Sequence, residues 1–317
     1  MAPVRKSEIR KAYLLNKYVI ITPGRAKRPR DIKEQTVIER TSPCVLCPEK
    51  LVTYAKEHKG YIKEKIKDKS GKWQVISIDN VFPAVTLSND KAYGVQEVIV
   101  ETPHHSRELS NLNDQQIELV LRMYARRTKA ISQNQDIDYI LCLKNQGSKS
   151  GATIVHAHSQ VFATHILPPE VHDELMAAQS YQVKHHSCAY CDTVKKEMLG
   201  ERKIYEDKYV AAFAPYASEY HYEAWLFTKR HLDNITLLND QEFRALAHAY
   251  KMILKKLQTL DLSFNCFLHQ VVSHRDQHFY LKIQPRDSVW AGVELGSGLV
   301  INSIPPETAA KYYREQK

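Results

Sequence analysis

The chain has 317 residues, of which 43% are hydrophobic and 26% are charged, a composition typical of a globular protein with a sizeable core. Lysine and arginine outnumber aspartate and glutamate by 45 to 36, and the net charge of +9 suits a protein that binds phosphorylated anions or nucleic acid. No run of about 18 apolar residues is present, which excludes a membrane-spanning helix. Residues 1–6 lack the apolar core of an export signal, so we expect a cytoplasmic protein.

The first half of the chain predicts an α+β unit. Its hydrophobic pattern changes between that of strands and that of an amphipathic helix with a polar N-cap. A charged stretch at 63–72 precedes these elements and predicts an exposed hairpin or loop. The predicted strands cover 94–101, 137–144 and 155–164, and the predicted helix covers 114–132.

The second half repeats this order of elements after a predicted helical connector at 168–183. The same plan occurring twice predicts an α+β fold of two tandem repeats, each an antiparallel sheet with flanking helices. We place the repeats at residues 1–180 and 181–317. The predicted strands cover 209–214, 223–229, 264–271 and 278–284, and the predicted helix, capped by Asp240, covers 239–259.

Two C-x-x-C pairs mark corresponding places in the two repeats. Cys44 and Cys47 precede Cys188 and Cys191 by the same interval, since 188 − 44 and 191 − 47 are both 144. Without an export signal, disulfides are a poor interpretation of the pairs, and metal-bound thiolates are a better one. The two remaining cysteines, at 142 and 266, lie in apolar strands, where we expect buried thiols.

Each repeat also has histidines that would complete a tetrahedral site of two cysteines and two histidines. The first repeat offers His156 and either His104 or His105, and the second offers His231 and His278. Because the order of C-x-x-C, histidine and histidine occurs twice at similar offsets, the sequence predicts two structural zinc sites.

The sequence His-Ala-His-Ser-Gln at 156–160 follows a polar, glycine-bearing run at 145–153. Histidines at i and i+2 of a strand point to the same face, so a metal can hold one while the other faces a substrate. The glycines and hydroxyls of the run supply flexible backbone and N–H donors of the kind that hold phosphates. A nucleophilic imidazole beside such a loop predicts nucleotidyl transfer.

These motifs resemble the galactose-1-phosphate uridylyltransferase branch of the histidine triad superfamily, which includes related nucleotide-sugar phosphorylases. Besides 145–160, the resemblance covers the first C-x-x-C pair, the Pro-His-His-Ser segment at 103–106, and residues 79–84 and 291–296. It implies two tandem histidine-triad-like repeats, bound zinc and a homodimer. In this family the histidine immediately before the serine binds zinc, which favours His105.

The resemblance also implies the catalytic pair and the substrate contacts. His158 would be the nucleophile that attacks the α-phosphorus, and Gln160 would donate a hydrogen bond to a phosphate oxygen. Because an amide cannot act as a general acid or base, Gln160 favours transfer to a phosphate acceptor over hydrolysis. The substrate-binding residues would be Arg25, Arg28, Asp79, Asn80, Asn145, Gly147, Ser148, Lys149, Gly151, Thr153 and Glu294, the last at the position that contacts the hexose.

The second repeat departs from the family pattern at one position. Tyr280 stands where many relatives carry a second histidine two residues after the first, so only the first repeat retains a nucleophile. This substitution leaves the acceptor specificity open. It also leaves open a degenerate relative that has lost efficient transfer.

The predicted function is exchange of UDP between hexose 1-phosphates by a ping-pong mechanism. The alternative is a phosphorylase that splits ADP-glucose or a dinucleoside polyphosphate through the same nucleotidyl-histidine. A zinc-containing nucleic-acid-binding protein belongs to another class, but basic residues do not interleave with aromatic ones here, and the metal spacings are too long for a zinc knuckle. We therefore expect a nucleotide sugar and a sugar 1-phosphate as ligands, and no nucleic acid or membrane as a partner.

Overall fold

The computed structural model describes residues 7–27, 44–272 and 277–315. Arg28, one of the predicted substrate contacts, lies outside the described residues. No helix in the described ranges is long and apolar enough to cross a membrane.

The described residues form thirteen strands and seven α-helices. The strands are β1 (Glu8–Lys11), β2 (Tyr18–Ile21), β3 (Ile62–Lys67), β4 (Trp73–Asp79), β5 (Gly94–Val100), β6 (Tyr139–Gln146), β7 (His158–Thr164), β8 (Lys203–Glu206), β9 (Val210–Phe213), β10 (Ala224–Thr228), β11 (Phe264–His269), β12 (Tyr280–Pro285) and β13 (Val300–Asn302). The helices are α1 (Pro48–Glu57), α2 (Asp114–Ile131), α3 (Pro169–His185), α4 (Ala189–Met198), α5 (Asp240–Thr259), α6 (Gly292–Ser297) and α7 (Pro306–Arg314).

Ten of the strands form one antiparallel sheet with an internally symmetric order, β3-β4-β5-β7-β6-β11-β12-β10-β9-β8. The two repeats therefore have the same topology and meet where β6 pairs with β11, in register from Phe264↔Gln146 to Phe267↔Leu143. The predicted α+β fold of two repeated antiparallel units is confirmed. The structure adds that the two units share a single continuous sheet.

One face of this sheet is covered by α2 and α5, and the strand alternation follows from that burial. On β7, Val161 and Ala163 are fully buried in the main hydrophobic cluster, together with side chains of both helices. The residues that alternate with them, His158 and Gln160, are partly exposed and lie on the other face. The apolar alternation of β7 thus directs the catalytic candidates away from the core.

The N-terminal and C-terminal segments form a small sheet in which β1 pairs antiparallel and β13 parallel with β2. Arg10 on β1 donates to Glu307 on α7 at 2.9 Å, and Arg202 donates to the same carboxylate at 2.9 Å. The turn between β1 and β2 packs on the second repeat, where the rings of Tyr13 and Trp225 lie edge to face at 5.8 Å.

Some boundaries differ from the sequence predictions. The charged stretch at 63–72 forms the β3–β4 hairpin. The N-cap of α5 is Asn239 rather than Asp240, because the Asn239 side chain accepts hydrogen bonds from the backbone N–H groups of Gln241 and Glu242. Residues 155–157, predicted to begin a strand, precede β7. The division proposed at 180/181 falls inside α3 (Pro169–His185).

Candidate active site and metal centres

Four side chains of the first repeat converge on a point beside the start of α1. The Sγ of Cys47 lies 3.5 Å from His105 Nδ1 and 3.7 Å from His156 Nδ1, and Cys44 Sγ lies 3.9 Å from His156 Nδ1. All four donor atoms lie within 4.8 Å of one another. His105, not its neighbour His104, is the histidine that joins this group.

The second repeat brings together the corresponding set at the start of α4. Cys191 Sγ lies 3.4 Å from the Nδ1 atoms of both His231 and His278, and Cys188 completes the group. A hydrogen bond from Cys191 and further ones from the two histidines hold the pKa of the Cys188 thiol well below its ordinary value. That thiol is therefore in the thiolate form that binds metals.

The donor atoms of both groups fit a tetrahedral metal ion. Bond lengths of about 2.3 Å to sulfur and 2.0 Å to nitrogen place neighbouring donors roughly 3.5 Å apart. The buried histidines are oriented by their other ring nitrogen, since His156 Nε2 donates to the Thr102 carbonyl and His278 Nε2 donates to the Thr228 carbonyl, each at 2.8 Å. Either group could therefore hold a metal ion.

His158 begins β7, two residues beyond the buried His156. Its Nδ1–H donates to the His156 carbonyl oxygen at 2.8 Å, which leaves Nε2 with a free lone pair. Burial lowers the pKa of His158, and the positive charge of Lys144 lowers it further. The imidazole is therefore neutral near pH 7, and its unprotonated nitrogen is available to a substrate.

A buried ion pair beneath His158 was not predicted from the sequence. The Lys144 ammonium donates to Glu101 Oε2 at 2.8 Å and to the His158 carbonyl at 3.2 Å, and both side chains are almost completely buried. The pairing of β6 with β7 ends at Leu143↔Gln160, so Lys144 supplies a donor where the ladder stops. The available sequence signal was a lysine at a core-facing position directly after the five apolar residues that begin the strand.

The polar run between β6 and β7 is a tight, glycine-dependent loop. Gly147 and Gly151 have φ of +79° and +85° and flank a 3₁₀ turn at 148–150. The loop rests on the second repeat, because Asn265 Nδ2 donates to Asn145 Oδ1 at 2.8 Å and to the Ser150 carbonyl at 3.0 Å. Ser148, Lys149, Gly151 and Thr153 are exposed.

Gln96 connects Gln160 to the loop that follows β4, another contact that sequence reasoning missed. The Gln96 Nε2 donates to Gln160 Oε1 at 3.1 Å, and its Oε1 accepts from the Ala84 backbone N–H at 2.8 Å. Asn80 donates its backbone N–H to the Gln96 carbonyl at 3.0 Å. Asp79 forms a 2.7 Å ion pair with Lys63.

Glu294 lies on α6, where it accepts the backbone N–H of Ala291 at 2.9 Å. Burial raises its pKa, but backbone N–H donors and the positive charge of Arg25 hold that pKa below the ordinary value. Two predicted substrate contacts, Arg25 and Glu294, are thus neighbours beside the small sheet. No hydrogen bond or ion pair within the described part of the chain joins them to His158 or Gln160.

The fold and site together define an α+β protein of two repeats in one sheet, each repeat with a group of two cysteines and two histidines. A family model for the galactose-1-phosphate uridyl transferase N-terminal domain matches residues 2–168. The chain belongs to this family, as its sequence motifs predict.

Known proteins of two activities resemble the chain over most of its length. ADP-glucose phosphorylase from Arabidopsis thaliana is 30% identical over 97% of this chain and 92% of its own. Galactose-1-phosphate uridylyltransferase from Thermotoga maritima is 30% identical over 71% of this chain and 75% of its own.

The solved structures of such proteins share the fold. A crystal structure of the Arabidopsis thaliana phosphorylase with bound ADP-glucose has a TM-score of 0.86 at 29% identity, covering 98% of this chain and 100% of the other. A uridylyltransferase structure has a TM-score of 0.75 at 26% identity, covering 98% of each chain.

Because the ion pair beneath His158 is buried, we expect removal of one of its charges to destabilise the protein more than removal of both. Lys144→Met leaves the Glu101 carboxylate buried without its cation, so we expect it to lower the free energy of unfolding by about 3–5 kcal/mol. The double variant Glu101→Gln/Lys144→Met should lose clearly less. Denaturant titration measures both, and equal losses would contradict the assigned pairing.

Alanine substitutions at the two loop glycines, Gly147 and Gly151, should differ in their effect on the free energy of unfolding. Alanine at Gly151, which has a left-handed backbone, costs about 1–2 kcal/mol. Alanine at Gly147, whose φ and ψ essentially only glycine adopts, costs about 1–3 kcal/mol. A methyl group at Gly147 would also lie 2.3 Å from Ser263 Oγ, whereas one at Gly151 meets no atom within 4 Å. We expect Gly147→Ala to lower the free energy of unfolding more than Gly151→Ala does. Adding Ser263→Gly should restore stability only to the Gly147 variant, and equal restoration of both would refute the contact.

Proposed function

We propose that the protein is a nucleotidyltransferase that works through a covalent nucleotidyl-histidine at His158. The observation that carries this proposal is the 2.8 Å hydrogen bond from His158 Nδ1 to the His156 carbonyl. It fixes the proton on Nδ1 and leaves Nε2 as the nucleophile. A neutral imidazole needs no separate base near pH 7.

The reaction has two displacement steps. His158 Nε2 attacks the α-phosphorus of a nucleoside-diphosphate sugar, a P–N bond forms, and the α-phosphorus–oxygen bond breaks so that its electron pair leaves with sugar 1-phosphate. An oxygen of a second phosphate then attacks the same phosphorus and the P–N bond breaks, which returns the neutral imidazole. Because the first product leaves before the acceptor binds, the kinetics are ping-pong.

Polar groups around His158 stabilise the charge that develops on the phosphate oxygens. Since Gln160 Oε1 already accepts from Gln96, the Gln160 Nε2 is left to donate to a non-bridging oxygen. The glycine loop supplies backbone N–H donors and the side chains of Asn145, Ser148, Lys149 and Thr153. We assign Asp79 and Asn80 to the nucleoside, Arg25 and Arg28 to the nucleotide phosphates or base, and Glu294 to the hexose.

The first candidate substrate pair is UDP-glucose and galactose 1-phosphate, so that the uridylyl group moves between hexose 1-phosphates. This reading rests on the family and on the uridylyltransferase relatives. The second candidate is phosphorolysis of ADP-glucose. It is favoured by the Arabidopsis thaliana phosphorylase, which matches 97% of this chain and whose structure has a TM-score of 0.86.

We propose zinc as the metal of both groups, because two thiolates and two imidazoles are the donor set of closed structural zinc sites. Zinc would supply no reacting group here. Its contribution is to hold His156, and with it the backbone oxygen that orients His158.

We also propose that the protein is cytoplasmic and forms a homodimer. Each subunit would contain both repeats, 1–180 and 181–317. Val293 and Leu295, which flank Glu294 on α6, are 50% and 74% exposed, as an unpaired interface would be. The cysteines are free thiols, and four of them lie in the metal groups, which suits a reducing compartment. Sedimentation analysis of the purified protein tests the dimer.

Intact-mass spectrometry tests both the nucleophile and the nucleotide. With a nucleotide sugar and no acceptor, the wild-type protein should gain the mass of UMP from UDP-glucose or of AMP from ADP-glucose. His158→Ala should gain neither, whereas His104→Ala, which changes an exposed histidine outside the metal group, should label normally. An adduct that persists in His158→Ala would refute the assignment.

Metal removal should affect the two repeats differently. Cys47→Ser and Cys191→Ser should each lose one of the two zinc ions, measured by elemental analysis. The rate of histidine labelling should fall strongly in Cys47→Ser, because His156 then loses its anchor, and less in Cys191→Ser. Equal falls in both variants would mean that metal binding supports the fold without a specific effect on His158.

A further inference from the structure

The second repeat contains a cavity at the place that corresponds to the His158 site. Its β12 carries Tyr280 and Lys282 on the sheet face where β7 carries His158 and Gln160, and both residues line the cavity. The cavity has a volume of about 50 Å³. The turn between β1 and β2, with Tyr13 and Lys17, forms its outer wall.

Symmetry shows how this cavity differs from the catalytic site. Gln160 pairs with Val98, and Lys282 pairs with Trp225, so Gln96 and Glu223 occupy equivalent positions two residues earlier. The hydrogen-bonded amides of the first repeat are thus replaced by a carboxylate and an ammonium. A nucleophile is lost, but a polar recess is kept.

Two side chains that can donate hydrogen bonds, Lys282 and Tyr280, line this recess. Lys282 is 7% exposed, and its Nζ lies over the rings of Trp225 and Phe267 at 5.2 and 5.8 Å. Lys282 interacts electrostatically with Glu174 and Glu223: burial acts to raise the pKa values of both carboxyl groups, and the charge of Lys282 acts to lower them. The Tyr280 hydroxyl is fully buried beside Tyr190, and no hydrogen bond of standard geometry satisfies it within the described ranges. Buried donors of this kind call for a ligand or water that accepts hydrogen bonds.

The walls of the recess are carboxylates that already have partners. Glu223 accepts from Trp225 Nε1 at 2.8 Å, and Glu174 lies 3.2 Å from His269 Nδ1. Lys17 is neutralised by Glu170 at 2.8 Å. These acidic side chains disfavour a phosphate or another multiply charged anion, yet they can accept further hydrogen bonds. Burial raises the pKa of Glu223, so the negative charge lies mainly on the others.

We propose that this recess binds the hydroxyl edge of a monosaccharide. Since an ordered water needs about 10–15 Å³, the recess holds roughly three or four oxygen-sized groups. Adjacent sugar hydroxyls accept from Lys282 and Tyr280 and donate to the carboxylates. A simple anion could pair only with the two donors, and a simple cation only with the carboxylates. The rings of Trp225 and Tyr13 face the recess and supply apolar surface for the sugar C–H groups.

Titration calorimetry with D-glucose and D-galactose tests this site in the zinc-loaded protein. One of the two sugars should bind saturably at millimolar concentration. Lys282→Met should weaken that binding by about tenfold or more, because a charged hydrogen bond is lost. Tyr280→Phe removes a single hydroxyl and should weaken binding with the fold intact. His158→Ala and the exposed-surface variant Lys195→Met should bind as the wild type does.

Three outcomes would overturn the assignment. They are no saturable binding of either sugar to the wild type, undiminished binding in both Lys282→Met and Tyr280→Phe, and loss of binding in His158→Ala. The last would place the sugar in the catalytic site instead. Binding is measured without turnover, so its result is independent of whether the protein transfers nucleotides.

Discussion

The arrangement around His158 depends on one hydrogen bond, from the His158 imidazole to the backbone oxygen of His156. His156 makes three connections at once. Its Nδ1 faces the thiols of the first metal group, its Nε2 donates to Thr102 beside the neighbouring strand, and its carbonyl receives the proton of the next histidine. Because the residue is fully buried, none of these connections competes with water. The ring of His158 is thereby held by the backbone of a buried residue that also belongs to the first Cys/His group, rather than by a flexible side-chain contact.

The pairing between β6 and β7 stops near His158, because the glycine loop leaves the sheet at the end of β6. Regular pairing ends there, and a backbone carbonyl that would be satisfied in a longer ladder needs another donor. Lys144 supplies it from the core side, and Glu101 makes the buried ammonium tolerable. The buried Lys144 ammonium beneath His158 is therefore a consequence of interrupting a strand pair within a closed core. It also favours the neutral form of the imidazole above it.

Duplication made much of this architecture predictable. The equal spacing of the C-x-x-C pairs and the repeated strand and helix periods identify two similar units from the sequence alone, and both metal groups assemble from the expected residues. The pair of Lys144 and Glu101 spans 43 residues, and Asn265 lies 120 residues from Asn145, so no local pattern reports either contact. The choice between His104 and His105 needed the family motif, because both follow the same strand end. The helices α1 and α4 were missed, since each is a ten-residue segment that begins at a metal-binding pair.

The seam between β6 and β11 has an evolutionary consequence. The glycine loop beside His158 belongs to the first repeat, but Ser263 and Asn265 of the second form the surface on which it rests. A repeat that acted independently could be deleted without affecting the other repeat. The second repeat here cannot, because it supports the loop beside His158. The second repeat has Tyr280 at the position that His158 occupies in the first, yet it still supports the loop beside His158. The two repeats therefore depend on each other, since the first carries His158 and the second holds the adjacent loop in place.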